Sequence, residues 1–209
     1  ILIASLFSMR SFSRCDRTAM RFKKVLCLIA FVSVVASTLI YRIAPLQICH
    51  VTGAIIMPLA LLLRKPAFQK YMIYVSGWGG FFALALPNLA HNATVMQCLV
   101  FFSLHLSIMI GWLYCLRYES LSLTIKDTLK ASCYYGYYLI IVGLFDWAFH
   151  QNYAFLNNPP LNSAIFLPWP WYIIEIILFT LGLNLLLVTT INFTRTQLSF
   201  THSRSRKIK

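Results

Sequence analysis

The sequence predicts an all-α fold, a polytopic bundle of transmembrane helices, on three observations. The 209 residues are 59% hydrophobic and 11% charged, with a mean hydropathy of +0.72. A chain so composed cannot offer a water-soluble surface. A span needs about 20 mostly apolar residues, and the apolar runs fall into six such stretches with almost nothing left over for an extramembrane domain. The third observation is charge. Assigned to alternate sides of those stretches, 17 of the 18 Lys and Arg residues share one side and Arg42 stands alone on the other. The positive-inside rule makes the crowded side cytoplasmic. The expected place is the cell membrane, multi-pass, with the basic loops and the C-terminus cytoplasmic.

Each element follows in order within a single transmembrane domain, 1–209. Residues 1–9 are apolar and stop at Arg10, which reads as the end of a truncated first span. Residues 10–24 read as a basic cytoplasmic loop carrying Arg10, Arg14, Arg17, Arg21, Lys23 and Lys24. A six-helix bundle is expected over 25–192. Its first span is 25–41, followed by a turn with Arg42 and Pro45. The second is 46–63, where Pro58 removes a backbone donor and should kink the helix. After a loop with Arg64, Lys65 and Lys70, the third span is 71–86, with Gly77, Gly79 and Gly80 offering a bare face for close helix approach. An uncharged turn over 88–94 leads to the fourth span, 95–116. A mixed loop holding Arg117, Glu119, Lys126, Asp127 and Lys130 precedes the fifth, 129–149. The sixth is 171–191, and 193–209 is a basic cytoplasmic tail.

The stretch 146–175 stands apart. It holds four of the eight prolines, three of the five tryptophans and two of the five acidic residues, and no Lys or Arg. Rings with one polar edge settle at the boundary of lipid and water, and prolines stiffen a short path that cannot be helical. The stretch is expected to form a structured cap between the last two spans, on the outer face.

Net charge +13 raises the question of nucleic acid. Basic residues beside spans set topology and meet anionic lipid headgroups, and no basic stripe interleaved with aromatics lies on a soluble fold. Membrane lipids are the expected partners and nucleic acid is not. Protein partners are not indicated. No two of the six cysteines are spaced as C-x-x-C, so neither a metal site nor a redox pair is signalled, and no cofactor is expected.

The less usual polar residues gather in the outer halves of the spans. Gln47, Cys49 and His50 open the second. Asn88 and His91 sit in an outer turn. Cys98 and His105 lie in the outer half of the fourth. Asp146 and His150, at i and i+4, end the fifth, and Glu175 begins the sixth. Ionisable groups at membrane depth face a cavity or a partner, so these residues suggest a pocket opening outward. A thiol becomes a good nucleophile when a histidine takes its proton, which singles out Cys49 with His105. Cys98 lies two turns from His105 along one helix, too far for direct proton transfer. The structural alternative is a packing cysteine and a histidine bonded to a carbonyl. Asp146, His150 and Glu175 would orient the base or bind a headgroup amine, or else cap helices at water level. Trp169, Trp171 and Tyr172 would anchor the interface or line the substrate site.

In several runs the chain resembles the YwaF-type integral membrane proteins, whose animal relative is transmembrane protein 164. The likeness rests on Pro45-Leu46-Gln47-Ile48-Cys49, on Gly77-Trp78-Gly79-Gly80 with Pro87-Asn88, and on Phe101-Phe102-Ser103-Leu104-His105. It continues in Asn152-Tyr153-Ala154-Phe155-Leu156 before Pro159, and in Pro168-Trp169-Pro170-Trp171-Tyr172. Order and spacing fit over about residues 23–192. The resemblance implies about seven helices, six complete here plus the remnant of one at the N-terminus. It also implies a Cys/His acyltransferase acting on phospholipid acyl chains, with Cys49 as nucleophile and His105 as base. Gln47, His50, Asp146, His150, Asn152, Tyr153, Trp169, Trp171, Tyr172 and Glu175 would surround the substrate. The sequence departs from the pattern at Gln47 and Leu104, where the family carries His and Ser, and at Phe82, Asn88 and Leu167, where it carries Gln, Asp and Gly. The fold does not depend on those positions, whereas the hold on a catalytic base does. The expected function is a membrane lipid acyltransferase or acyl-ester hydrolase facing the outer leaflet. The other reading is a non-catalytic protein of the same fold, either a small-solute transporter or a partner-binding assembly factor. No repeat relates the two halves, as alternating access would suggest.

Overall fold

The computed structural model describes residues 17–119, 121–159 and 166–206, with side chains as far as 193. The stretch 1–9, Arg10, Arg14 and residues 160–165 of the cap lie outside them. Every element among the described residues is helical: α1 (Arg17–Tyr41), α2 (Ile48–Leu61), α3 (66–85), α4 (Val95–Tyr118), α5 (Ile125–Phe149), a 3-10 turn (Tyr153–Phe155) and α6 (Trp171–Arg206). Three of them, α1, α4 and α6 over Trp171–Phe193, are long and apolar enough to cross a membrane.

α1 begins eight residues before the expected 25. Arg17, Arg21, Lys23 and Lys24 therefore belong to a helix, correcting their assignment to a loop. Helix can continue through this charge because Lys23, 3% exposed, reaches Glu119 and sits over the Tyr114 ring. The other cations project outward.

The expected kink at Pro58 takes another form. Proline cannot donate, and the turn ahead of it widens: Thr52–Ile56 is a π-helix, closed by the Met57 N–H on the Thr52 carbonyl. α3 contains a matching π-turn at Met72–Ser76. A widened turn frees carbonyls for outside donors. The Trp112 indole donates to the Ile73 carbonyl at 3.1 Å, and the Asn184 amide donates to the Tyr74 carbonyl at 2.8 Å. The two π-turns join through Thr52 and Ser76, whose hydroxyls are 2.9 Å apart.

The core lies between α1, α2, α3 and α4, around Ala30, Met57, Leu61, Met72, Tyr74, Leu104 and Ile108. Small residues bring these helices together. A methyl on Gly53 would stand 2.8 Å from a Leu104 carbon. A methyl on Gly77 would overlap the Trp112 indole, and one on Gly80 would press on Ile108. Gly79 does not share in the expected bare face, for no other described atom comes within 4 Å of its side. α5 and α6 are attached more loosely, and Trp78 Nε1 donating to Asn184 Oδ1 at 2.8 Å is one of the bonds that hold α6.

The two ends of the bundle differ. At the basic end Glu119 bonds Arg64 at 3.2 Å and faces Lys23 at 3.7 Å, while Lys70 bonds Asp127 at 2.7 Å. The opposite end carries the cap.

Candidate site at the cap end

The segment 42–47 enters the cap end as irregular chain and turns into α2 at Ile48. Cap residues answer its polar groups. The Tyr153 hydroxyl accepts the Ala44 N–H at 2.8 Å, and the Gln47 side-chain carbonyl accepts the Ala154 N–H at 3.1 Å. From α5 the Tyr138 hydroxyl donates to the Leu46 carbonyl at 2.6 Å.

The other cap residues are used in the same way. Asp146 is 1% exposed. Its Oδ1 accepts the Tyr153 N–H at 3.0 Å, and its Oδ2 is buried without a partner. Asn152 holds the loop by accepting from the Asn157 and Asn158 amides. Tyr172 donates to the Phe155 carbonyl at 2.6 Å, the Trp169 indole to the Leu156 carbonyl at 3.1 Å, and Glu175 accepts the Leu167 N–H at 3.1 Å. Trp147, Trp169 and Trp171 are largely exposed, as interfacial anchors are. Asp146 and His150 do not form the expected pair. His150 caps α5 in the left-handed conformation (φ 52°), which turns it out of the helix face and leaves it exposed while Asp146 points inward.

Below this layer lie the candidate reacting groups. His105 is 6% exposed, its ring against Phe101 at 4.2 Å between centroids. Its Nδ1 is 2.7 Å from the Phe101 carbonyl. A carbonyl only accepts, so Nδ1 carries the proton and the neutral ring keeps its lone pair on Nε2. Cys49 is half-buried against the core, a free thiol like Cys98. The turn that carries it, Ile48–Val51, packs on α3 and α4. Adjacent residues on a helix point about 100° apart, so Cys49 and His50 meet different neighbours. His50 is 4% exposed, and its Nε2 lies 3.0 Å from the Ser37 hydroxyl on α1. Among the described residues no hydrogen bond joins the Cys49 thiol to His105.

A groove of about 370 Å³ runs along the lipid-facing side of α4, lined by Ala93, Val95, Cys98, Leu99, Phe102, Ser103 and Leu106. It adjoins Cys98, not Cys49. Of the positions that depart from the resemblance, Gln47 ties the cap down, Phe82 packs on Phe179 of α6, and Leu104 fills the core at 2% exposure.

A family model described as the TMEM164 family matches residues 1–188. The chain belongs to the TMEM164 family. Its helices are those of a membrane protein of that family, in keeping with the resemblance noted from the cap motifs. No curated protein and no solved structure matches the chain. Ser37, Tyr138 and Asn184 escaped the sequence reading. A serine, a tyrosine or an asparagine in an apolar run says little until its partner on another helix is known.

Proposed function

We propose that this protein is an integral membrane acyl-transfer protein with six spans over residues 25–192, with the cap outside and the basic loops and tail in the cytoplasm. Cys49 attacks a phospholipid ester, His105 Nε2 takes the thiol proton and returns it to the departing alkoxide, and a lysolipid or water then removes the acyl group. A thioester keeps the energy of the ester bond, so no cofactor is needed. The observation that carries the reading is the state of His105: its Nδ1 is anchored on the Phe101 carbonyl, which fixes the tautomer that can act as base, on a helix against which the Cys49 turn packs. Catalytic hydrogen bonds are often long before substrate binds, and closure of the thiol on the imidazole belongs to that step. Family membership supports the same reading. α2, at 14 residues about 21 Å long, crosses with the help of the irregular 42–47 segment.

The test is transfer of a labelled acyl chain from phosphatidylcholine to a lysophospholipid in vesicles containing the purified protein. Cys49→Ala and His105→Ala should each lower the rate at least 100-fold, the low end for loss of a nucleophile or base. Unchanged rates in both would end the proposal. One observation favours the non-catalytic reading of the same fold: Gln47, Asn152, Tyr153, Trp169 and Tyr172 are all engaged in holding the cap. On that reading the capped face binds a partner protein, and a fixed partner would co-purify while Cys49 never carries an acyl group.

A further inference from the structure

Below the 42–47 segment two helices place a hydroxyl against an imidazole. Ser37 Oγ and His50 Nε2 are 3.0 Å apart, within the reach that a nucleophile and its base require. Both residues are buried, at 6% and 4% exposure. Ser37 lies one turn below Tyr41, the end of α1, about 6 Å into the bundle.

The pair is incomplete in a telling way. His50 Nδ1 is buried and has no partner. If Ser37 donates to Nε2, the ring proton sits on Nδ1 with no acceptor. If Nε2 donates to Ser37, the Nδ1 lone pair has no donor. Either state leaves one buried polar group unanswered, which is unfavourable. The hydroxyl oxygen of Thr38, next to Ser37, is also buried without a partner. A helix pair stapled only for stability would have no use for open donors, whereas a bound ester brings oxygens that can accept from Nδ1–H, in the state where Ser37 donates to Nε2, and from the Thr38 hydroxyl.

We propose that Ser37 and His50 form a second nucleophile–base pair for lipid ester chemistry, independent of Cys49. The Ser37 oxygen attacks the ester carbonyl while His50 Nε2 takes the hydroxyl proton. The carbon–oxygen bond to the lysolipid breaks, and the alkoxide leaves with that proton. Water then cleaves the Ser37 ester, giving the free fatty acid and restoring the hydroxyl. The 42–47 segment lies over the pair, and its hydrogen bonds with the Tyr153 hydroxyl, the Tyr138 hydroxyl and the Ala154 N–H hold it there, so access follows movement of the cap.

The test uses the full chain in phosphatidylcholine vesicles with a long-chain alkyl fluorophosphonate, which forms an oxygen–phosphorus bond with an activated serine and releases fluoride. Peptide mass spectrometry of the wild type should find the adduct on Ser37. The adduct should be absent in Ser37→Ala, at least tenfold slower to form in His50→Gln, and undiminished in Cys49→Ala. Thermal melting of each variant separates loss of fold from loss of chemistry, since Ser37→Ala removes a single oxygen. A wild type unlabelled at Ser37, or labelling at Ser37 that His50→Gln leaves unchanged, would overturn the proposal and leave a polar contact between helices. The outcome is separable from that for Cys49. Labelling of Ser37 with full acyl transfer in Cys49→Ala would keep this pair and remove Cys49. No labelling, with transfer lost in Cys49→Ala, would do the reverse.

Discussion

The basic end and the cap end of this bundle are held by different forces. Charges close the basic end: Glu119 between Lys23 and Arg64, and Lys70 on Asp127. Hydroxyls, amides and backbone groups close the cap end, where the buried Asp146 bonds a backbone amide. Ion pairs with one exposed partner weaken with salt, and neutral hydrogen bonds do not. The ion pairs sit at the basic end, whereas around the thiol, serine and histidines of the cap end the bonds are neutral, with Arg42 the nearby cation of the 42–47 segment.

The sharpest way to break the basic end is Glu119→Gln. The Lys23 and Glu119 side chains are 4% and 7% exposed, and removing one partner of a buried pair leaves the other charge uncompensated, at about 3–5 kcal/mol. Thermal melting in detergent should show a larger loss than either Asn184→Ala or Tyr153→Phe produces. Asn184→Ala comes next, because it removes the donor to the Tyr74 carbonyl and the acceptor for Trp78. A buried group left unmatched costs about 1–3 kcal/mol, and proteolytic cleavage along α6 should rise as that helix loosens. At the cap end Tyr153→Phe deletes the acceptor for Ala44 N–H. A loss of about 1 kcal/mol is expected, the same at low and high salt, which is the signature separating the two ends.

The smallest expected effect is acidic. Burial raises the Asp127 pKa, but hydrogen bonds from Lys70 and Thr124 outweigh it and hold the carboxyl below its usual value. A carboxyl so depressed contributes stability above the ordinary carboxylate pKa and loses it as pH falls through the lowered one. Melting temperature should therefore fall slightly at the acid end of a titration, and Asp127→Asn should abolish that part of the fall. The pair is partly exposed, so its worth is below about 1 kcal/mol.

Hydropathy marked the apolar runs where helices form, and the Trp/Pro stretch marked the cap, because both are composition effects; α6 runs on to Arg206, so the expected tail 193–209 is helical through 206. The span expected at 95–116 needed nothing more than its length; the helix begins at Val95, where Thr94 and Gln97 form a capping box, and runs on to Tyr118. What hydropathy could not show were features decided between elements. The extension of α1 to Arg17 depends on Glu119, 96 residues away from Lys23. The π-turns depend on Trp112 and Asn184 arriving to answer freed carbonyls. Cap residues that looked like substrate contacts, Asn152 and Tyr153 above all, are used to fold the cap, and nothing in their identity separates the two uses. His50 read as a neighbour of Cys49; only its partner Ser37, 13 positions earlier, makes it a candidate base.

The central claim is that Cys49 carries the acyl group, with His105 as its base. The most direct measurement is mass spectrometry of the Cys49 peptide after brief exposure of the reconstituted protein to labelled phosphatidylcholine. A hydroxylamine-sensitive acyl group on Cys49, lost in His105→Ala, is the predicted result. A Cys49 peptide that stays unmodified while acyl transfer proceeds would contradict the account.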